Sequence, residues 1–162
     1  MDVTIRKVEI GDLEDISNIE LMCFPVEEAA TKASLKKRIE TFPDSFFIAE
    51  HEGKIIGFVN GCIINDTVIH DDLFADSSLH IQDGQYQTIF GLDVIPVYRN
   101  RGIGIQLMNF MIESAKKAGR KGVILTCKDD LIPYYSKFGF VNKGVSNSVH
   151  GGAQWYDMIL EF

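Results

Sequence analysis

Residues 86–117 constrain the chain more than any other stretch; they read YQTIFGLDVIPVYRNRGIGIQLMNFMIESAKK. An apolar run stops at Pro96, and a short basic turn with two glycines follows, Arg99-Asn100-Arg101-Gly102-Ile103-Gly104. Beyond it, Leu107, Phe110, Met111, Ile112 and Ala115 recur at three- and four-residue spacings, the period of a helix with one buried face. The pattern is strand, tight turn, helix, with the turn opening the helix N-terminus. Such a turn offers unpaired backbone N–H groups and the positive end of the helix dipole. Gly102 and Gly104 let the backbone approach a ligand with no Cβ in the way. Arg99 and Arg101 add positive charge in an otherwise acidic chain. Together these features predict a site for a phosphate or pyrophosphate.

The rest of the composition bounds what such a site can serve. The 162 residues are enough for one domain with a buried core, and 46% hydrophobic with 24% charged residues is ordinary for a globular protein. No apolar run approaches the roughly 20 residues of a membrane span. The first residues show no basic stretch followed by an apolar one, which predicts no secretory leader. Cys23, Cys62 and Cys127 are far apart and follow no metal-ligand spacing, so we expect reduced thiols, no metal and a cytoplasmic location. The net charge of −7 argues against nucleic acid as a partner. It suits a cationic small molecule, and it also serves solubility.

Read in order, residues 3–8 alternate as a strand, and Asp12 caps a helix over 13–23 whose inward stripe holds Leu13, Ile16 and Ile19, with Glu20 or Cys23 on the next turn. A second helix is expected over 27–42, with a break near Ala30 and Thr31. Strands at 45–50 and 55–64 flank a hairpin turn at 52–54. Residues 65–85 show little periodicity and read as a long loop with one helical turn near 71–74. A loop of that length in a small domain is more often functional than accidental. Gly119 ends the central helix, 123–127 is a strand, 130–138 a short helix, and strands begin at 140 and 155. No repeat or linker divides the chain, so residues 1–162 are expected to form one domain. This order predicts a mixed sheet with helices on both faces.

These elements and their punctuation resemble the GNAT superfamily of N-acetyltransferases over nearly the whole chain. The family signature Arg/Gln-x-x-Gly-x-Gly/Ala is met by residues 99–104, and the preceding Leu92-Asp93-Val94-Ile95-Pro96 resembles its signature strand. A second signature, Tyr-x-x-x-Gly-Phe, is met from Tyr135 through Gly139 to Phe140. Within the superfamily, residues 127–135 (CKDDLIPYY) and Cys23-Phe24-Pro25-Val26 resemble arylalkylamine (serotonin) N-acetyltransferases. The resemblance implies an α/β (α+β) acyl-coenzyme A N-acyltransferase fold with a mixed, mostly antiparallel sheet.

It also implies roles. Backbone groups of Leu92, Asp93 and Val94 would pair with the pantetheine arm of acetyl-CoA, the expected cosubstrate. Residues Arg99, Asn100, Arg101, Gly102, Ile103, Gly104 and Ile105 would cradle its pyrophosphate. The Val94 N–H would polarise the thioester carbonyl. Tyr135 would sit near the sulfur as the catalytic acid that protonates or orients the leaving thiolate. From residue type alone, Tyr135 reads more readily as an aromatic at the core edge whose hydroxyl satisfies a backbone group; the position in the family signature reverses that preference.

One departure stands out. Serotonin-acetylating enzymes carry two histidines on the strand before the glycine signature, and here Thr88 and Phe90 stand there. The base is then water, or a group elsewhere: Glu27, Glu28, His80 or Asp93. The implied activity is acetyl transfer from acetyl-CoA to a small primary amine, aryl-alkyl or polyamine-like. Acetylation of a protein N-terminus or lysine, and a silent coenzyme A-binding sensor, are the alternatives. Dimerisation, common among relatives, is expected by analogy only.

Overall fold

The computed structural model describes residues 1–162 and forms two sheets that share two interrupted strands. Strands β1 (Thr4–Lys7), β2 (Phe46–His51), β3 (Lys54–Asn60) and β6 (Gly91–Val94) make an antiparallel sheet in the order β1-β2-β3-β6. The second sheet runs β4 (Ile63–Ile64), β5 (Tyr86–Ile89), β7 (Gly122–Cys127), β9 (Tyr156–Glu161) and β8 (Val141–Val145). Its β5–β7 pair is parallel, and its other pairs are antiparallel. The mixed, mostly antiparallel architecture with helices on both sides is as the sequence implied.

The side-chain alternation of β2 explains the layering. Phe46 and Ile48 face α1 (Leu13–Cys23) and α2 (Lys32–Thr41), packing with Ile16, Ile19, Leu35 and Ile39. Phe47 and Ala49 face α4 (Ile103–Lys117), which contributes Ile103, Leu107, Met108, Met111 and Ala115 to the larger cluster. Two short helices, α3 (Asp72–Ala75) and α5 (Ile132–Ser136), lie in the connections. No helix is long and apolar enough to cross a membrane.

Three boundaries differ from the sequence reading. The helix expected from residue 27 starts at Lys32, where the Thr31 side chain accepts from Ser34 N. Residues before it form a turn, with the Glu28 and Ala29 N–H groups on the Pro25 carbonyl. The strand expected over 55–64 breaks after Asn60, and its second part passes to the other sheet as β4. The apolar run 86–95 likewise breaks at Phe90 into β5 and β6. These breaks lie side by side, bridged by Phe90 N to Asn60 O (2.7 Å) and Thr88 N to Cys62 O (2.9 Å). Past Phe90 the two sheets part: β6 stays with β3 while β7 stays with β9.

Candidate functional site

The gap opened by that parting is the candidate site. One wall is the outer edge of β6. Ile95 N donates to Ile56 O at 2.9 Å, and Val94 stands opposite Gly57. Antiparallel alternation then directs the backbone groups of Asp93 and Ile95 to β3 and those of Leu92 and Val94 into the gap. A Cβ built on Gly57 would lie 2.5 Å from the Asp93 carbonyl oxygen, which shows the same direction. The backbone of Asp93 is therefore engaged with Phe58 opposite it, unlike the grouping of Leu92, Asp93 and Val94 expected from sequence. The Leu92 N–H and C=O groups and the Val94 N–H offer an unpaired strand edge of the kind an extended ligand pairs with, while the Val94 carbonyl accepts from Arg99 Nε and Cys23 Sγ.

The glycine turn closes one end of the gap. Asn100 and Gly102 both have positive φ (62° and 79°), so the chain doubles back just before the helix. Gly102 is the N-cap of α4, and the first intrahelical bond is Gln106 N to Gly102 O. The N–H groups of Ile103, Gly104 and Ile105 thus have no intrahelical acceptor. A Cβ on Gly104 would stand 2.8 Å from the Tyr134 hydroxyl and 3.8 Å from a Val94 methyl, filling the groove mouth. The two arginines take different parts. Arg99 Nε donates to the Val94 carbonyl (3.0 Å), tying the turn to the strand, while the Arg101 guanidinium lies 5.5 Å from the Tyr98 ring centroid.

The groove has a volume of about 770 Å³ and runs from Gly102 and Gly104 along Leu92 and Val94 to Tyr135. There it meets a second, smaller pocket of about 130 Å³. Phe24, Leu92, Leu131 and Tyr135 line both. The small pocket has aromatic walls: Phe74 from the 65–85 segment, Phe90, and His150 and Trp155 from the connection before β9. His150 stacks on Phe74 with centroids 4.6 Å apart, and its Nε2 meets the Glu28 carbonyl at 2.9 Å. The Trp155 indole N–H donates to the His150 carbonyl, which fixes the opposite wall. The glycine-rich 150–152 turn, seen in the sequence only as a connection, thus helps build this wall.

The titratable groups separate clearly. Thr88 is buried and donates to the Cys62 carbonyl; Phe90 lies under the Arg38 guanidinium, 4.8 Å from its ring centroid. His80 accepts from Ile63 N and its other nitrogen meets Gln82, outside both cavities. Glu27 is exposed. Glu28 lines the small pocket, paired with Lys128 at 2.9 Å. Burial raises the Tyr135 phenol well above its ordinary range, and the neighbouring Tyr134, Cys127 and Asp93 push the same way. The phenol therefore stays protonated far above neutral pH, suited to donating a proton and unsuited to taking one.

Beneath the pocket lies a cluster that the sequence did not announce. Asp93 is fully buried, neither carboxylate oxygen has a partner, and its carboxyl is held well above the usual range. Desolvation is the main cause; the neighbouring Glu20 carboxyl and the Cys23 thiol add to it, and Arg38 opposes it. Glu20, 5% exposed, lines the pocket; one of its oxygens accepts from Ala30 N (2.8 Å) and the other is unpartnered. Glu20 was visible in sequence as a polar interruption of the α1 stripe, and that interruption was the available signal.

Asp93 sets a pH-dependent stability. Below the aspartate value of the unfolded chain, about 3.9, both states are protonated and the group carries no penalty. As pH rises from there toward the raised folded value, the unfolded chain releases a proton that the fold retains, so stability is lost. Asp93→Asn is expected to remove that slope and give Glu20 Oε1 a donor. The variant should match wild type near pH 4 and exceed it at pH 7–8 by about 1–3 kcal/mol, the cost of an unsatisfied buried group. Thermal melts across this pH range check it; a variant melting below wild type at pH 8 contradicts it.

A split sheet with an unpaired strand edge, a glycine turn and a helix N-terminus at its mouth defines the architecture of the GNAT acyltransferases. Residues 13–140 match the family described as Acetyltransferase (GNAT) family, and the chain belongs to it. Among curated relatives, it is 29% identical over 143 residues to the Bacillus subtilis protein named "Probable hydrolase YhcX" (84% of this chain, 27% of that protein). It is 32% identical over 155 residues to the uncharacterized N-acetyltransferase MJ1207 of Methanocaldococcus jannaschii (88% of this chain, 62% of that protein). Matched regions span 27% to 62% of the lengths of these curated relatives. In fold it resembles the loading GNATL domain of CurA from Lyngbya majuscula, with TM-score 0.84, 17% identity, and 99% and 98% of the two chains covered.

Proposed function

We propose that residues 1–162 act as an acetyl-CoA-dependent N-acetyltransferase whose acceptor is a small primary amine of the aryl-alkyl or polyamine-like kind. The observation that carries this reading is the meeting of groove and pocket at Tyr135 and Leu92. The groove suits a long, phosphate-ended cosubstrate. The Leu92 N–H and C=O groups and the Val94 N–H would pair with its acyl-pantetheine arm, and the amides of 103–105 with Arg101 beside them would meet its pyrophosphate. The Val94 N–H then faces the position of the thioester oxygen, where developing negative charge needs a donor.

Little further chemistry is required of the protein. An uncharged amine held against a thioester attacks it, and fixed geometry supplies much of the rate. Tyr135 borders both cavities and keeps its proton, so it would protonate the leaving thiolate. Burial raises the Cys127 thiol to about 11 and also raises Cys23, which leaves neither as a thiolate nucleophile near neutral pH. Direct transfer, with no acetyl-enzyme, follows. Incubation with acetyl-CoA alone should leave the intact protein mass unchanged; a gain of one acetyl group on Cys23 or Cys127 contradicts direct attack.

The small pocket supports a small acceptor. Its volume corresponds to about four water molecules at roughly 30 Å³ each. Phe74, Phe90 and Trp155 suit an aromatic or aliphatic body, and Glu20 and Glu28 suit an ammonium. An assay of kcat/KM on arylalkylamines, polyamines and an N-terminal peptide checks the acceptor class. Small amines should lead by at least tenfold, and a peptide preferred over every small amine contradicts it.

A further inference from the structure

We propose that Glu20 is the general base of the acetyl transfer, taking the proton from the acceptor ammonium, and that Asp93 positions it from below. The assignment rests on the transferase reading given above. It begins from a geometric oddity at Gly91. A methyl group built there would lie 3.0 Å from Asp93 Oδ1, 3.6 Å from Asn60 Nδ2 and 3.8 Å from Glu20 Oε1. Three buried polar atoms from three elements thus converge on one point in the floor of the acceptor pocket, and each lacks a hydrogen-bond partner. Unpartnered buried polar atoms are rare in folded proteins, and a cluster of them beside a cavity marks a place where something else binds or reacts.

The surroundings divide the labour. Asp93 is 0% exposed, behind Gly91, and cannot touch an acceptor; Glu20 is 5% exposed and lines the pocket. Facing the pair are Cys23 from α1, Arg38 from α2 and Tyr135 from α5. Arg38 is 4% exposed and donates to Asn60 Oδ1 (3.0 Å) and the Phe74 carbonyl (2.8 Å). Two carboxyls this close hold one proton between them, because both charges together are unfavourable. Burial keeps the proton on Asp93, and Glu20 is the member of the pair that lines the pocket. Glu20 Oε2 is anchored by Ala30 N, so Oε1 is the free oxygen. The Arg38 guanidinium lies opposite the pair and offsets its negative charge.

An N–H bond of the acceptor ammonium breaks and its proton forms an O–H bond on Glu20 Oε1. The freed nitrogen lone pair forms the C–N bond at the thioester carbonyl, and the C–S bond breaks with its electrons on sulfur. The second nitrogen proton replaces the one Tyr135 gives to that sulfur. Amide, thiol and one proton result, and Glu20 returns that proton to solvent when the product leaves. This places a base where Thr88 and Phe90 provide none.

The test is the pH profile of kcat/KM for an arylalkylamine at saturating acetyl-CoA, in wild type, Glu20→Gln and Asp93→Asn, with acetyl-CoA affinity measured alongside. Glutamine keeps the contact to Ala30 N, so the fold should persist. We expect Glu20→Gln to lower kcat/KM about 100-fold at pH 7, the usual scale of a lost base. The deficit should shrink as pH approaches the amine's own pKa, while acetyl-CoA affinity changes less than about threefold. Asp93→Asn should stay active and move the acid limb of the profile, which a purely structural role would not do. A Glu20→Gln profile superimposable on wild type overturns the assignment while leaving the transferase reading intact. A wild-type chain that acetylates no amine overturns both.

Discussion

Gly102→Glu is expected to abolish measurable acetyl-CoA binding in a calorimetric titration, an affinity loss of about 100-fold or more. Two costs combine. Gly102 has φ of +79°, a region that costs an L-residue about 1–2 kcal/mol. The added carboxylate also stands at the N-terminus of α4, where the site would otherwise present only N–H groups and positive dipole to a pyrophosphate. A Cβ at this position meets nothing within 4 Å, so the glutamate projects into solvent and the core is undisturbed. Gly102→Ala, which carries only the backbone cost, should bind within about tenfold of wild type. Binding by Gly102→Glu at wild-type affinity would exclude the turn as the anion site.

Tyr135→Phe carries the second large effect. The phenol borders groove and pocket, and its proton is retained by burial. Removing the hydroxyl should lower kcat about 100-fold while acetyl-CoA affinity moves less than about threefold, since the ring and its packing on Phe140 remain. Because the phenol value is raised, Tyr135 should add no alkaline limb to the wild-type profile below about pH 10. Steady-state kinetics with a parallel titration separate the two quantities. Unchanged kcat at every pH removes Tyr135 from the acid role and returns it to a packing aromatic.

The glycine turn was legible in the sequence because several independent signals coincide there: an apolar run, Pro96, two glycines, two arginines and a helical period. The break at Phe90 was not. Residues 86–94 are apolar or small almost throughout, and such a run does not reveal where a strand changes sheets. That break opens the groove, so the most consequential turn of the backbone was also the least visible. The helix expected over 27–42 lost its first part, 27–31, for a different reason. Glu27, Glu28, Ala29 and Ala30 are good helix formers. The Ala30 N–H is instead taken by Glu20 across the fold, and Thr31 caps a helix that starts after it. Tertiary hydrogen bonding overrode local propensity. Glu20 is visible in the sequence on the α1 stripe, where a single acidic residue reads as a helix edge; only the fold shows that it points at Gly91 and Asp93.

The most direct test of the account is the coupling of thiol release to amide formation by the wild-type chain. Acetyl-CoA is supplied with each member of an amine panel, thiol is followed by absorbance, and the acetylated amine by mass spectrometry. The account predicts release that depends on a small primary amine, with one acetylated product formed for each thiol. Tight acetyl-CoA binding with no thiol released by any amine would contradict it and leave a coenzyme A-binding sensor in its place.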